Sequence, residues 1–220
     1  MSLKPNKEKR ILKTEPKLKI ELTDEQKEVV KLFHEYDVVF INGDFGSGKT
    51  ATAVHIALTA FRKKMFNKIW ITRPMLKNQL AALPGTLEEK LHPYIYPILQ
   101  NMDACQGKEL TEKMKKDGSV EIIPFDVAKG LTFSDSVVII DEWQDVDYQD
   151  FRTILTRLGK DSKMIFCGSK EQIDRSMLDK TCYHRVAKLE SSGIVGWVHL
   201  KSNHRNEILT KIINYLEKND

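Results

Sequence analysis

The sequence predicts an α/β fold of three layers, a mainly parallel central sheet between two sets of helices. Three observations predict it. Short apolar, strand-type stretches alternate with helix-type stretches along most of the 220 residues. The first apolar stretch runs into a glycine-rich turn, and an alanine-rich helical stretch follows directly. The polar motifs fall where apolar stretches stop, which is where parallel α/β sheets collect ligands.

The elements follow in order. Residues 1–22 carry Pro5, Pro16, seven Lys or Arg and three Glu, with weak periodicity. They are predicted to form a flexible basic arm ahead of a single domain, 23–220. The arm holds the whole formal net charge of +4 and the remainder sums to zero. Such an arm suits contact with phosphates or an acidic surface, and equally a solubilising terminus. Thr23 with Gln26 reads as a capping box, and Val29, Val30 and Phe33 give the apolar face of the helix it opens. "DVVFING" reads as a buried strand, "FGSGKTATAVHIALTAFRKK" as a turn and helix, and "KIWITRP" as a strand stopped by Pro74.

The middle is less regular. "LPGTLEEKLHPYIYPILQNM" holds three prolines, which are expected to break any long helix. Thr86 is a candidate cap there, with Leu91, Ile95 and Leu99 at helical spacing. "CQGKELTEKMKKDGS" reads as an exposed helix or loop. "VEIIPF", "VVIID", "KMIFCGS" and "GWVHL" read as strands, and "YQDFRTILTRLG" and "NEILTKIINYLEK" as helices.

Composition narrows the function classes. A chain 41% hydrophobic and 30% charged is expected to be globular and soluble. No apolar run approaches a membrane span, and "MSLKPNKEKR" lacks the apolar segment of a secretory signal. Three cysteines without a C-x-x-C pair fit reduced thiols in a cytoplasmic protein, and six scattered histidines do not suggest zinc.

Two motifs carry chemistry. Gly43, Asp44, Phe45, Gly46, Ser47, Gly48, Lys49 and Thr50 match G-x-x-x-x-G-K-[ST], with Ala51 following in the first helical turn. Glycines let successive N–H groups point inward at phosphate oxygens, and the following helix adds its positive end. Lys49 is placed to reach the outer phosphates of a nucleotide and Thr50 to complete a magnesium shell. The second motif is "VVIIDEWQDVD". Asp141, the first polar residue after an apolar strand expected beside the loop strand, is the candidate second magnesium anchor. Glu142 is the candidate general base that polarises the attacking water. Asp145 and Asp147 are expected to cap the helix that follows.

Together "INGDFGSGKTATAVHIAL", "ITRPMLKNQLAALPGTLEEKLHPYIYPIL", "VVIIDEWQDVD", "LTRLGKDSKMIFCGSKEQID" and "NHRNEILTKIINYL" resemble the PhoH family, from about Leu22 to Tyr215. The resemblance implies a RecA-like, helicase-like P-loop NTPase core. It also implies ATP with Mg2+ as cofactor, RNA or single-stranded DNA as partner, and a homo-oligomer, with a hexameric ring as one form. Gln26 resembles a glutamine that reads the adenine edge, an alternative to its capping role. Gln172 resembles the γ-phosphate sensor of helicase motif III. Arg205 aligns with a family arginine that would act as an arginine finger, in cis or in trans. Arg73 faces either nucleotide or nucleic acid.

The chain also departs from the family pattern. Ser169 stands where an Asp is usual. Trp143 and Asp145 replace a small residue and an amide, and Lys129 and Leu131 replace two arginines. The alternatives to a PhoH-type ATPase are a nucleoside-type kinase and a weakly hydrolysing nucleotide-binding scaffold.

Overall fold

The structure, a computed structural model, describes residues 18–74 and 87–201, together with Ile208, Lys211, Ile212 and Tyr215. Strands β1 (Val38–Gly43), β2 (Lys68–Arg73), β3 (Val120–Pro124), β4 (Ser136–Asp141), β5 (Lys163–Gly168) and β6 (Gly196–Leu200) form one sheet. Its order is β3-β2-β4-β5-β1-β6, and every adjacent pair is parallel. The expected α/β class with a parallel sheet is what forms. One expectation fails: β4 does not lie beside β1, because β5 is inserted between them. Asp141 of β4 and Ile41 of β1 are both level with Cys167 of β5, so the acidic motif starts two strand spacings from the loop strand, roughly 9–10 Å.

Each face of the sheet is covered. On one side lie α1 (Asp24–Glu35), α2 (Lys49–Arg62), α3 (Leu87–Gln106) and α4 (Lys108–Lys116). Val29 and Phe33 from α1, Ala53, Ile56 and Ala57 from α2, and Ile98 and Met102 from α3 join Ile41, Ile71, Ile139 and Ile165 of the strands in one apolar cluster. On the other side lie α5 (Phe125–Ala128), α6 (Tyr148–Leu155) and α7 (Tyr183–Val186). Their side chains bury with Phe40, Trp143 and Phe166 in a second cluster. The alternation of strand side chains between clusters, Val137 and Ile139 one way and Val138 and Ile140 the other, is the period of two that a strand covered on both faces must show.

Local chemistry explains the boundaries. Thr23 accepts from Gln26 N–H while the Gln26 side chain accepts from Thr23 N–H, the expected capping box. Asp147 caps α6, its carboxylate accepting from Asp150 N–H at 2.8 Å, as expected. Asp145 does not cap α6. Its carboxylate accepts from Asp174 N–H at 2.8 Å, tying the acidic turn to a segment 29 residues away.

The proline expectation is also corrected. Helix α3 runs 20 residues straight through Pro93 and Pro97. Both prolines are exposed and four apart, so the hydrogen bonds they remove lie on the solvent side, where water reaches the freed carbonyls. The opposite side is anchored by Ile98, Met102 and Cys105, all fully buried, while Ile95 is only partly buried. Thr86 lies outside the described residues, as does the Leu91 side chain.

The last residues of the expected arm touch the body. Lys19 N–H donates to Cys105 O at 2.8 Å, and Leu18 and Ile20 pack on the first cluster. Of the expected C-terminal helix, the four described residues are helical. Among the described residues no helix is long and apolar enough to cross a membrane.

Candidate functional site

The loop between β1 and α2 is shaped by its glycines. A Cβ on Gly43 would fall 2.4 Å from Leu200 O of β6, so only glycine lets the chain turn there. Gly48 holds a left-handed conformation, φ 81°, immediately before α2. No side chain caps α2 and its first turn holds no acidic residue. Helices α1 and α6, by contrast, have both a side-chain cap and acidic residues in the first turn. The N–H groups and positive end of α2 are therefore left for an anion.

Asp44, Phe45, Gly46 and Ser47 complete the loop. Ser47 N–H donates to Asp44 O at 3.3 Å, and the Ser47 hydroxyl is buried with no protein partner. Phe45 is 48% exposed at the rim. The Asp44 carboxylate lies 3.5 Å from His199 Nε2 of β6. Leu200 abuts Gly43, and the next residue, Lys201, donates its N–H to the Glu25 carboxylate at 3.1 Å. This chain of contacts ties the start of α1, where Gln26 lies, to the strand end that abuts the phosphate loop.

Lys49 Nζ curls over the loop, donating to Gly43 O at 2.8 Å, Asp44 O at 3.0 Å and, across to the turn that follows β5, Gln172 Oε1 at 3.5 Å. Burial holds its ammonium below the ordinary lysine range, against the opposing pull of Glu142 and Asp141. Beside it, the Thr50 hydroxyl donates to Asp141 Oδ1 at 2.7 Å. Thr50 reaches Asp141 across the intervening β5 because that strand presents Cys167 at this level. The small thiol donates weakly to Lys49 O at 3.8 Å and lets α2 pass over it.

Asp141 is buried, and its carboxyl is pushed up to about 6, first by burial and then by Glu142. Thr50, Arg73 and Lys49 oppose that rise. Glu142 sits in a left-handed conformation, φ 55° and ψ 42°. For a non-glycine residue this costs about 1–3 kcal/mol, strain that surrounding contacts must hold. Arg73, at the end of β2, lies 3.9 Å from Asp141 and 3.6 Å from Glu142. The structure thus places Arg73 beside the two carboxylates of the acidic motif.

Two oxygen donors, the Thr50 hydroxyl and the Asp141 carboxylate, suit a hard divalent cation. No cluster of three His, Cys, Asp or Glu that could hold a metal occurs among the described residues. Magnesium commonly takes one or two protein oxygens and completes its shell with phosphates and water, so this pair fits it.

Lys49, Thr50, Asp141, Glu142 and Gln172 thus converge; the Gln26 side chain is engaged by Thr23 N–H in the capping box of α1, and Arg205 lies outside the described residues. Sequence reasoning passed over Gln144, whose amide touches both Glu142 and the Gln172 turn. An amide standing among four carboxylates was the available signal. It gave no meaning to the altered positions, which the structure accounts for. Trp143 fills the second core, Ser169 N–H is bound by Gln144, and Leu131 packs on the second cluster. Lys129 pairs with Asp126 at 2.7 Å and Asp150 at 2.8 Å.

Comparison with known proteins bears on the family and the fold. Residues 19–217 match the family described as PhoH-like protein. A PhoH-like protein of Bacillus subtilis is 35% identical over 199 residues, covering 88% of this chain and 62% of its own. Protein PhoH of Escherichia coli is 34% identical over 149 residues, 66% of this chain and 42% of its own. The chain therefore spans about two fifths to three fifths of these relatives' lengths. Among solved structures, the Pif1 helicase from Candida albicans has a TM-score of 0.50 at 20% identity, over 90% of this chain and 44% of that one. The large terminase from a thermophilic bacteriophage has a TM-score of 0.53 at 10% identity, over 89% and 50%. At such identities these two likenesses speak to the fold.

Proposed function

The chain belongs to the PhoH-like protein family, and from that premise we propose that it is a magnesium-dependent ATPase acting on or near RNA or single-stranded DNA. The observation that carries the reading is the Thr50–Asp141 contact, 2.7 Å, formed across β5 beside the Lys49 ammonium. A hydroxyl, a buried carboxylate and a desolvated lysine at the open end of a helix are what a nucleotide triphosphate with its cation requires.

In this reading the loop N–H groups and Lys49 hold the phosphates, and Thr50 and Asp141 hold magnesium. When bound, the ion neutralises charge on the phosphate oxygens. Glu142 takes a proton from a water whose oxygen bonds to the γ-phosphorus. The bond from that phosphorus to the bridging oxygen breaks, and ADP and inorganic phosphate leave. Gln172 reports on the γ-phosphate. Gln26 faces the adenine, a role supported by its tie to the loop through Glu25, Lys201 and Leu200. Arg205 supplies a planar cation to the transferring group, within the chain or from a neighbour in a homo-oligomer. A core fold shared with a helicase and a terminase supports nucleic acid as the partner.

The test is ATP hydrolysis with magnesium, with and without single-stranded RNA or DNA and with no phosphate acceptor present. Glu142→Gln is expected to keep ATP binding and lose turnover by about 10²–10⁴-fold. Lys49→Ala is expected to lose most binding. Equal loss of binding and turnover in Glu142→Gln would remove the general-base role. A parent chain without turnover in every condition would reject the ATPase.

A further inference from the structure

Gln144 has no part in the chemistry assigned above, yet its side chain is 1% exposed and engaged at both ends. Its Oε1 accepts from Ser169 N–H at 3.1 Å. Its Nε2 donates to Glu142 Oε2 at 2.7 Å and to Gln172 O at 3.4 Å. The orientation of the amide is forced. A backbone N–H can only donate, so the oxygen must face Ser169, and the amino group then faces two acceptors. Turning the amide over would break all three contacts.

The amide is also fixed in place. Trp143 on one side is fully buried, and Asp145 on the other accepts from Asp174 N–H. The Thr181 hydroxyl donates to Gln144 O. The end of β5 is shaped to admit the side chain: a Cβ on Gly168 would fall 2.6 Å from Gln144 Oε1 and from Trp143 Cδ1. The turn so clamped, Ser169–Gln172, carries the side chain that reaches Lys49 Nζ. The carboxylate at the other end of the amide belongs to Glu142, whose left-handed backbone needs contacts to hold it.

We propose that Gln144 is a positioning residue that clamps the Glu142 carboxylate to the Ser169–Gln172 turn, so that engagement of a triphosphate by Gln172 and alignment of the water-activating carboxylate occur together. The inference rests on the ATPase reading above. It ties two groups assigned there separately into one unit. The strand end lacks the usual family Asp, and in this chain the backbone of Ser169, rather than its side chain, meets the amide. The Ser169 hydroxyl donates instead to Glu171 at 2.8 Å.

Two variants test it in the full chain. Gln144→Glu keeps an acceptor for Ser169 N–H but turns the donor facing Glu142 into an acceptor. Gln144→Met keeps the shape and removes every side-chain hydrogen bond. Both are measured for melting temperature, for Kd of ADP and of a non-hydrolysable ATP analogue, and for single-turnover hydrolysis. Gln144→Glu is expected to melt within about 4 °C of the parent and to bind ADP within about threefold. It should lose about tenfold in preference for the triphosphate over the diphosphate, and about 10²-fold in the hydrolytic step. Gln144→Met should repeat the kinetic loss.

Hydrolysis within about threefold of the parent in Gln144→Glu overturns the proposal. So does a loss of ADP affinity and melting temperature that matches the loss of rate, or failure of both variants to fold, since each assigns Gln144 to the fold alone. Glu142→Gln separates the two levels. If it turns over at the parental rate, the ATPase reading of Glu142 fails and the clamp with it. If it is inactive while Gln144→Glu is fast, only the clamp fails.

Discussion

The two faces of the sheet are filled with different chemistry, and the candidate site takes one wall from each. Beneath α1, α2 and α3 the core is mostly aliphatic, and among the described residues Phe33 and Phe66 are its buried aromatics. Beneath α5, α6 and α7 it is built from rings, including Phe40, Phe133, Trp143, Phe151, Phe166 and Tyr183. The phosphate loop opens a helix that lies on the aliphatic face. The acidic turn plunges into the aromatic one. Trp143, one residue after the proposed general base Glu142, stacks on Tyr183 at 4.9 Å and meets Phe40 edge-on at 5.2 Å. The difference teaches how each wall is held. One hangs on backbone geometry and a helix terminus, and the other on a single large ring whose packing fixes the strained residue before it.

Removing that ring gives the largest expected effect. Trp143→Ala should cost about 3–5 kcal/mol in unfolding free energy. In a chain of 220 residues that is a fall of roughly 6–20 °C in melting temperature. Denaturant titration with tryptophan fluorescence and circular dichroism checks it. A loss below about 1 kcal/mol would mean the aromatic face repacks freely and does not hold the acidic turn.

A smaller change, on the aliphatic face of the strand that leads into the acidic turn, sharpens the contrast. Ile139→Val removes one methyl group from the aliphatic cluster and should cost about 0.5–1.5 kcal/mol. Hydrolysis should be unchanged, because Ile139 supplies only apolar packing to the cluster and no polar group to the site. A loss as large as that of Trp143→Ala, or a selective loss of turnover, would break the comparison.

How much of this was legible in the sequence follows the same division. The loop, β1 and α2 were readable because a phosphate cradle demands particular residue types in an unbroken run, and the meeting of Thr50 with Asp141 because the acidic motif opens at the end of an apolar strand. The order of strands was not, because no local pattern records that β5 comes between β4 and β1. Asp147 was readable as a cap, since its partner is three residues away. Asp145 was misread as one, since its partner is 29 residues on and only the folded chain brings Asp174 to it. Pro93 and Pro97 carried a correct local rule that lost to the packing of Ile98, Met102 and Cys105. Trp143 looked anomalous because a small residue was expected, and its meaning lies in rings contributed from five other elements.

The smallest expected effects come from the two helix caps, one on each face, and they discriminate most finely. Thr23→Ala removes the cap of α1 and Asp147→Ala the cap of α6; each should cost about 0.5–2 kcal/mol. In stability the two should be alike and, being distant, additive within about 0.5 kcal/mol. In nucleotide binding they should differ. The Thr23 hydroxyl accepts from Gln26 N–H and so sets where the Gln26 residue sits, and α1 is tied to the phosphate loop through Glu25 and Lys201, so Thr23→Ala should weaken binding of ATP more than of a triphosphate lacking the adenine amino group. The Asp147 carboxylate holds Asp150 N–H at the far side of the acidic turn, and its loss should leave both affinities unchanged. Calorimetric titration of the two nucleotides into each variant decides the matter. Equal, unshifted affinities in both would leave Gln26 as a capping residue alone and move adenine recognition elsewhere on the aliphatic wall.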